Sequence, residues 1–244
     1  MRVLLTIQYL GTNYHGWQKQ AQKNTIQEVL ENAIFKALGE HCETFASGRT
    51  DAGVHAEAQT CHFDTTTKIK PEKIAYAINR FLPDDIQVLS SKEVPNDFNA
   101  RFDVKKKTYE YNFYASNQSL PLLSTTFAKI RTEFSYKIAE KACKHFLGEH
   151  DFVGFSSSGR QTKTTVRTIF DIKLLDLGEN KYKLSITGNG FLYNMVRIIA
   201  GTIIEVGYGR INANDLPQII ASKDRSKAGK TAEAKGLVLK KVEY

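Results

Sequence analysis

Two hydrophobic periodicities alternate along this 244-residue chain, and they do so in nearly the same order twice. Residues 2–9 put Val3, Leu5, Ile7 and Tyr9 on one side and Arg2, Thr6 and Gln8 on the other. That period of two predicts a strand with one buried face. Residues 10–24 are polar and contain glycine, so a loop is expected. Thr25 and Glu28 have the spacing of a capping box, in which each side chain satisfies a free amide at a helix start. Ile26, Leu30, Ala33, Ile34 and Ala37 then give one apolar helical face. Short strands are expected over 44–48 and 56–63. Pro71, favoured in a first turn, opens a second helix that runs to Leu82 with Ile74, Ala77, Ile78 and Phe81 inward. Pro83-Asp84-Asp85 stops it, and residues 86–93 read as a strand.

The second half follows a similar grammar. Residues 107–114 alternate as a strand. Ser135 is placed to cap a helix with Ile138, Ala139, Ala142 and Phe146 inward, ending at Gly148. Residues 166–175 and 181–187 form a predicted hairpin around Gly178-Glu179-Asn180. A long apolar helix is expected over 191–207 and a last strand near 237–243. Residues 115–126 and 156–165 are loop-like. The expected fold class is α+β: two similar halves, 1–103 and 104–244, each reading strand, helix, strand, strand, helix, strand, and meeting at a central cleft. No repeated sequence accompanies the repeated pattern.

Composition narrows the partner and the compartment. Hydrophobic residues make up 41% and charged residues 25%, an ordinary balance for a soluble globular chain. A formal net charge of +8 favours a polyanionic partner without naming one. Three cysteines, Cys42, Cys61 and Cys143, cannot all pair, which argues for a reducing compartment and against a secreted disulfide framework. The apolar N-terminal run breaks at Thr6, and no stretch approaches a membrane span.

Several motifs fail on inspection. Ala228-Gly229-Lys230-Thr231 has the end of a phosphate-binding loop, but Asp224 stands where the first glycine is required and no strand precedes it. Gly188-Asn189-Gly190 lacks its third glycine, because position 193 is Tyr193. His55-Ala56-Glu57 matches the first half of a zinc nucleobase-deaminase signature, whose second half needs Cys-x-x-Cys. No such pair exists here. His41-Cys42 and Cys61-His62 are adjacent residues that point to opposite faces of a strand, a poor chelating arrangement. No metal and no cofactor is expected.

The segment Ser47-Gly48-Arg49-Thr50-Asp51-Ala52-Gly53-Val54-His55-Ala56 survives. Glycines flank an Arg-x-Asp between two expected strands, a setting that presents functional groups on a rigid sheet. Taken alone it also fits an ordinary Asp/Gly turn. In the apolar run Phe191-Leu192-Tyr193-Asn194-Met195-Val196-Arg197-Ile198-Ile199-Ala200-Gly201, Arg197 is the single charge. A buried guanidinium requires an anionic partner. Asp51 is one candidate, whose ionised form the cation would favour. Pairing with Glu205, or snorkelling to solvent, are the alternatives. Tyr109, Tyr111 and Phe113 share one strand face, either as core or as a platform on which a nucleobase stacks. Lys105, Lys106 and Lys107 precede them.

Together these residues resemble the TruA family of tRNA pseudouridine synthases over nearly the whole chain. The resemblance opens with Tyr9, Gly11, Tyr14, Gly16, Trp17, Gln18, Gln20 and Thr25-Ile26-Gln27. It continues through Gly48 to Ala56, Phe98-Asn99-Ala100-Arg101, Tyr109-Glu110-Tyr111, Gly148 to Phe152, Phe191 to Arg197, and Gly236-Leu237. The family usually has Ala-Pro-Ala before that Gly-Leu, where this chain has Ala232-Glu233-Ala234.

The resemblance implies a pseudouridine synthase fold of mixed and antiparallel sheets flanked by helices around a central basic cleft. It implies a cytoplasmic, cofactor-free isomerase that converts uridine to pseudouridine at positions 38, 39 and 40 of tRNA, in the anticodon stem-loop. The implied partners are tRNA and a second copy of the chain. Asp51 would be the catalytic carboxylate, by attack on the substrate or by proton abstraction. Arg197 would pair with it. Tyr109 would stack on the uracil and take part in moving the C5 proton. Arg49 would enter the stem and hold the target nucleotide flipped out, and Leu237 would pack near the base. Lys105, Lys106, Arg160, Lys163 and Arg167 would contact phosphates. A non-catalytic RNA-binding protein and a zinc deaminase are the rival classes; loss of Asp51 tests the first and a metal assay the second.

Overall fold

The structure is a computed structural model that describes residues 1–158 and 163–244. Its strands in chain order are β1 (Arg2–Tyr9), β2 (Phe45–Ala46), β3 (His55–Asp64), β4 (Ile86–Val94), β5 (Lys106–Ala115), β6 (Ala128–Ile130), β7 (Gly148–Asp151), β8 (Val166–Asp176), β9 (Lys181–Gly188) and β10 (Leu237–Glu243). Its α-helices are α1 (Ile26–Leu38), α2 (Pro71–Asn79), α3 (Tyr136–Cys143), α4 (Met195–Gly207) and α5 (Leu216–Ser222). The pairing is mixed, so the architecture is the expected combination of helices and mixed sheet.

Two compact units are present. The first comprises Met1–Lys105 and Val238–Tyr244. Its strand order is β4-β1-β3-β10, with β2 on β3. β1 is antiparallel to β3 and β4, and β10 is parallel to β3 through Val238↔His55 and Leu239↔Ala56. Val3, Leu5, Ile7 and Tyr9 are buried as their alternation requires, and Ile26, Leu30 and Ile34 of α1 are buried too. The second unit, Lys106–Leu237, orders its strands β5-β9-β8-β7, with β6 parallel to β5. Tyr111, Phe113, Leu184 and Ile186 line the buried face, and α3 contributes Ala139 and Ala142 while α4 contributes Ile198, Ile199 and Ile203.

Local expectations are corrected at several points. Thr25 takes the N-cap backbone shape of α1 (φ −132°, ψ 152°), but its side chain makes no capping bond. The amides of Ile26 and Gln27 donate instead to the carbonyls of Gly16 (3.1 Å) and Trp17 (3.0 Å). With those amides satisfied by backbone, the Thr25 hydroxyl is left buried without a hydrogen-bond partner among the described residues. Helix α2 stops at Asn79, not Leu82, because the Asn79 amide turns back to donate to Val88 O and accept from Val88 N, both at 2.8 Å. Phe81, past that stop, is exposed. Ile138 also faces out, since Ala139, Ala142 and Cys143 occupy the inner face of α3. Helix α4 starts at Met195, not residue 191: Asn194 is left-handed (φ 61°), and Met195 N closes a turn on Leu192 O. The second half also carries β6, β7 and α5, beyond the predicted grammar.

All three cysteines are free and buried, and burial pushes the Cys143 thiol up to about 12. No helix among the described residues is long and apolar enough to cross a membrane.

Candidate active site

In the first unit, the Gly48–Val54 loop lies between β2 and β3 and is seated by contacts on two sides. One side is the 11–18 loop. Trp17 N donates to Thr50 O (3.0 Å), and Gly53 N donates to Tyr14 O (3.2 Å). Tyr14 is itself anchored, its hydroxyl donating to Asp85 Oδ1 at 2.6 Å. A β-carbon built on Gly16 (φ +86°) would lie 2.5 Å from Thr50 O and 3.0 Å from Asp51 C. Only a residue without a side chain lets these two loops touch at that point. His55, at the start of β3, is buried and accepts the Gly11 amide on Nδ1 at 2.9 Å, which requires that nitrogen to be unprotonated. This bond ties the start of β3 to the 11–18 loop.

The other side is a buried polar network. Tyr9 OH and Thr50 Oγ1 are 2.7 Å apart, and burial pushes the Tyr9 phenol well up. Gln59 is completely buried on β3. Its Oε1 accepts from Ser47 Oγ (2.7 Å) and Thr60 N (3.1 Å), while its Nε2 donates to Gly48 O (2.9 Å). A buried amide with both ends satisfied fixes the chain entering the loop. Within the loop, Val54 N donates to Asp51 O (3.1 Å), a tight turn that leaves the Asp51 side chain partly accessible and Arg49 exposed. Gln59→Met, which keeps length but removes all three bonds, is expected to lower stability by about 3 kcal/mol and turnover by about tenfold. Chemical denaturation and initial rates check the two effects separately.

In the second unit, Arg197 lies in the first turn of α4. Its Nε donates to Ala232 O (2.8 Å) and its Nη1 to Asn194 Oδ1 (2.8 Å), while Ala232 N donates back to Arg197 O (3.1 Å). The left-handed Asn194 is held in turn by its amide on Ser157 Oγ (2.9 Å). Glu205, the alternative partner considered above, pairs with Arg210 at 3.0 Å. Tyr111 OH donates to Glu233 O (3.0 Å), so the 230–236 segment is laced between α4 and β5 and delivers Leu237, which is buried. Glu233 has φ −58° and ψ 141°, the backbone shape proline adopts, so the departure from Ala-Pro-Ala preserves the local path. Tyr109 lies two residues along β5 from Tyr111. It is 9% exposed, edge-on to Phe191 with ring centroids 5.2 Å apart.

The expected phosphate contacts fall in different settings. Lys105, Lys106 and Lys163 are exposed, and Lys106 Nζ stands 5.3 Å from the Phe170 ring centroid. Arg167 is half-buried, its Nη1 donating to the carbonyls of Thr164 (2.9 Å) and Val166 (2.6 Å), and burial lowers its pKa. Arg160 lies outside the described residues. Sequence reasoning passed over Gln59 and, although it quoted the segments that contain Thr50 and Asn194, gave those two residues no supporting role. Gln59 left a signal, a long polar side chain inside a predicted strand; Asn194 left none, because it sits in an otherwise helical pattern.

The chain matches the tRNA pseudouridine synthase family over residues 5–103 and 142–244. It is 46% identical over 243 residues to tRNA pseudouridine synthase A of Ruminiclostridium cellulolyticum, covering 100% of this chain and 99% of that one. It is 48% identical over 242 residues to tRNA pseudouridine synthase A of Caldicellulosiruptor saccharolyticus, covering 99% of each. With identity of that order along the full length, the chain belongs to the tRNA pseudouridine synthase family of isomerases.

Proposed function

We propose that this chain isomerises uridine to pseudouridine at positions 38, 39 and 40 of tRNA, in the anticodon stem-loop, with Asp51 as the essential carboxylate. The observation that supports the role of Asp51 is the seating of its loop. Backbone bonds from Trp17 and Gly53 and the buried Gln59 network hold the chain on either side of the carboxylate. A site built to position one acid is what proximity catalysis needs.

The reaction breaks the bond between N1 and the ribose C1′ and forms one between C5 and C1′. The proton lost from C5 is balanced by one gained at N1, so no oxidant or reductant enters. Asp51 acts by adding to the substrate or by taking a proton. Arg197 serves as its counterion, Tyr109 meets the uracil face, and Leu237 packs near the base. Arg49 helps hold the nucleotide out of its stack, and Lys105, Lys106, Arg160, Lys163 and Arg167 meet phosphates.

The proposal includes a cytoplasmic homodimer. Its support is the 115–126 loop, where Leu122 is 98% exposed beside the exposed Leu120, apolar surface that a second copy would cover. A light-scattering mass equal to one chain would contradict that part.

Release of tritium from tRNA carrying [5-³H]uridine tests the activity. Wild type is expected to release label, and Tyr109→Phe to keep binding but lose about tenfold or more in rate if the hydroxyl moves the proton. An unchanged Tyr109→Phe rate would leave the ring a stacking role only.

A further inference from the structure

The second unit contains a groove of about 470 Å³, whose lining the reading above touches only at Ser116 and Asn117 of the 115–126 loop. Its walls come from four segments: β5 and the chain just after it (Tyr111, Ser116, Asn117), β6 and the chain after it, α4 from Gly201 onward, and residues 230–233. Lys230 belongs to the Ala228-Gly229-Lys230-Thr231 sequence that fails as a phosphate-binding loop. The structure explains its glycine by packing. Gly229 N donates to Thr202 Oγ1 (2.9 Å), and a β-carbon on Gly229 would lie 2.6 Å from the Thr202 backbone. On the helix side, a β-carbon on Gly201 would lie 1.7 Å from Lys230 O, so the strap lies directly on α4. Packing does not explain Lys230 itself, whose side chain is exposed at the groove.

Charge gives the groove its character. Lys129, Arg131, Arg210 and Lys230 line it, against Glu205 and Glu233. Both acids are already engaged, Glu205 with Arg210 (3.0 Å) and Glu233 with Lys235 (2.9 Å). Lys129, Arg131 and Lys230 therefore meet no carboxylate within ion-pair distance among the described residues. Lys129 Nζ donates only to Asn117 O (3.2 Å). Three cations left without an ion-pair partner, around a concave surface whose two acids are engaged by Arg210 and Lys235, fit an anionic ligand with repeated charges. Tyr208, at the same groove, accepts the Arg131 amide on its hydroxyl (2.7 Å) and so fixes the backbone that carries one of them.

We infer that this groove binds phosphodiester groups of the substrate RNA through Lys129, Arg131 and Lys230. The inference rests on the proposed tRNA substrate, and the site is additional to the residues assigned above. Its contribution is binding, because the reacting atoms meet Asp51 and its partners. Each phosphate contact steepens the salt dependence of affinity by about 0.9 in log–log slope.

The test compares full-length chain with Arg131→Ala/Lys230→Ala and with the charge-preserving Arg131→Lys/Lys230→Arg. Affinity for full-length tRNA is measured by filter binding over a salt series, and kcat at saturating tRNA. The alanine pair is expected to weaken binding about tenfold and to flatten the slope by about two, with kcat within about twofold of wild type. The charge-preserving pair is expected to restore the slope. An alanine pair with unchanged affinity and slope overturns the inference, as does one that changes only the light-scattering mass, which would mean that a second protein copy covers the groove. Should wild type bind tRNA yet form no pseudouridine, the proposed activity fails while the slope comparison still decides the groove.

Discussion

Asp51→Asn is expected to reduce tritium release by at least about 10³-fold while leaving tRNA binding within about threefold of wild type. Asn matches Asp in volume, and the turn that holds residue 51 runs through its backbone carbonyl, which accepts from Val54 N at 3.1 Å. The loop is further fixed by Trp17, Tyr14 and Gln59. The substitution thus removes a negative charge and a basic oxygen with little disturbance of the seat. An amide neither adds to a sugar carbon nor takes a proton at neutral pH, so either proposed route stops. Thermal melting checks the fold. A variant that melts like wild type and retains full activity would remove Asp51 from the chemistry.

Gly16→Ala is expected to be strongly damaging although it adds only one methyl group. The new β-carbon would meet Thr50 O at 2.5 Å and Asp51 C at 3.0 Å, and the position has φ +86°. The backbone conformation alone costs an L-residue about 1–2 kcal/mol. The overlap is with backbone, so relief requires the Asp51 loop to move. A displacement of about 1 Å lowers turnover about 10²-fold. Gly39→Ala is the control. Gly39 is also left-handed (φ +75°), but a β-carbon there meets nothing within 4 Å. It is expected to lose only the conformational term and to keep wild-type turnover. Equal turnover in the two variants would show that the contact between the two loops does not position the site.

How far the sequence carries these conclusions depends on which force decides each feature. The edges of β1, β4 and β10 were readable because alternation and burial agree, with Val3, Leu5 and Ile7 fully inside. The Asp51 loop was readable because its residue types are unusual together. Thr25 misled because capping is a competition for amides, and the carbonyls of Gly16 and Trp17, remote in the pattern, win it. The start of α4 misled because periodicity continues through Asn194, whose left-handed turn is fixed by Ser157 in another segment. Strand β7 stayed hidden because its four residues owe their extended shape to pairing with β8. Gln59 was visible as a polar residue in a strand, but its work is tertiary: a side-chain bond to Gly48 eleven residues away is not encoded in any local period.

Nucleotide-resolved mapping of pseudouridine in tRNA incubated with wild type and with Asp51→Asn tests the central claim most directly. New pseudouridine at positions 38, 39 or 40 with wild type, and none with the variant, is the expected result. Modification confined to other parts of the tRNA would contradict the proposed target, and an identical map from the variant would contradict the role of Asp51.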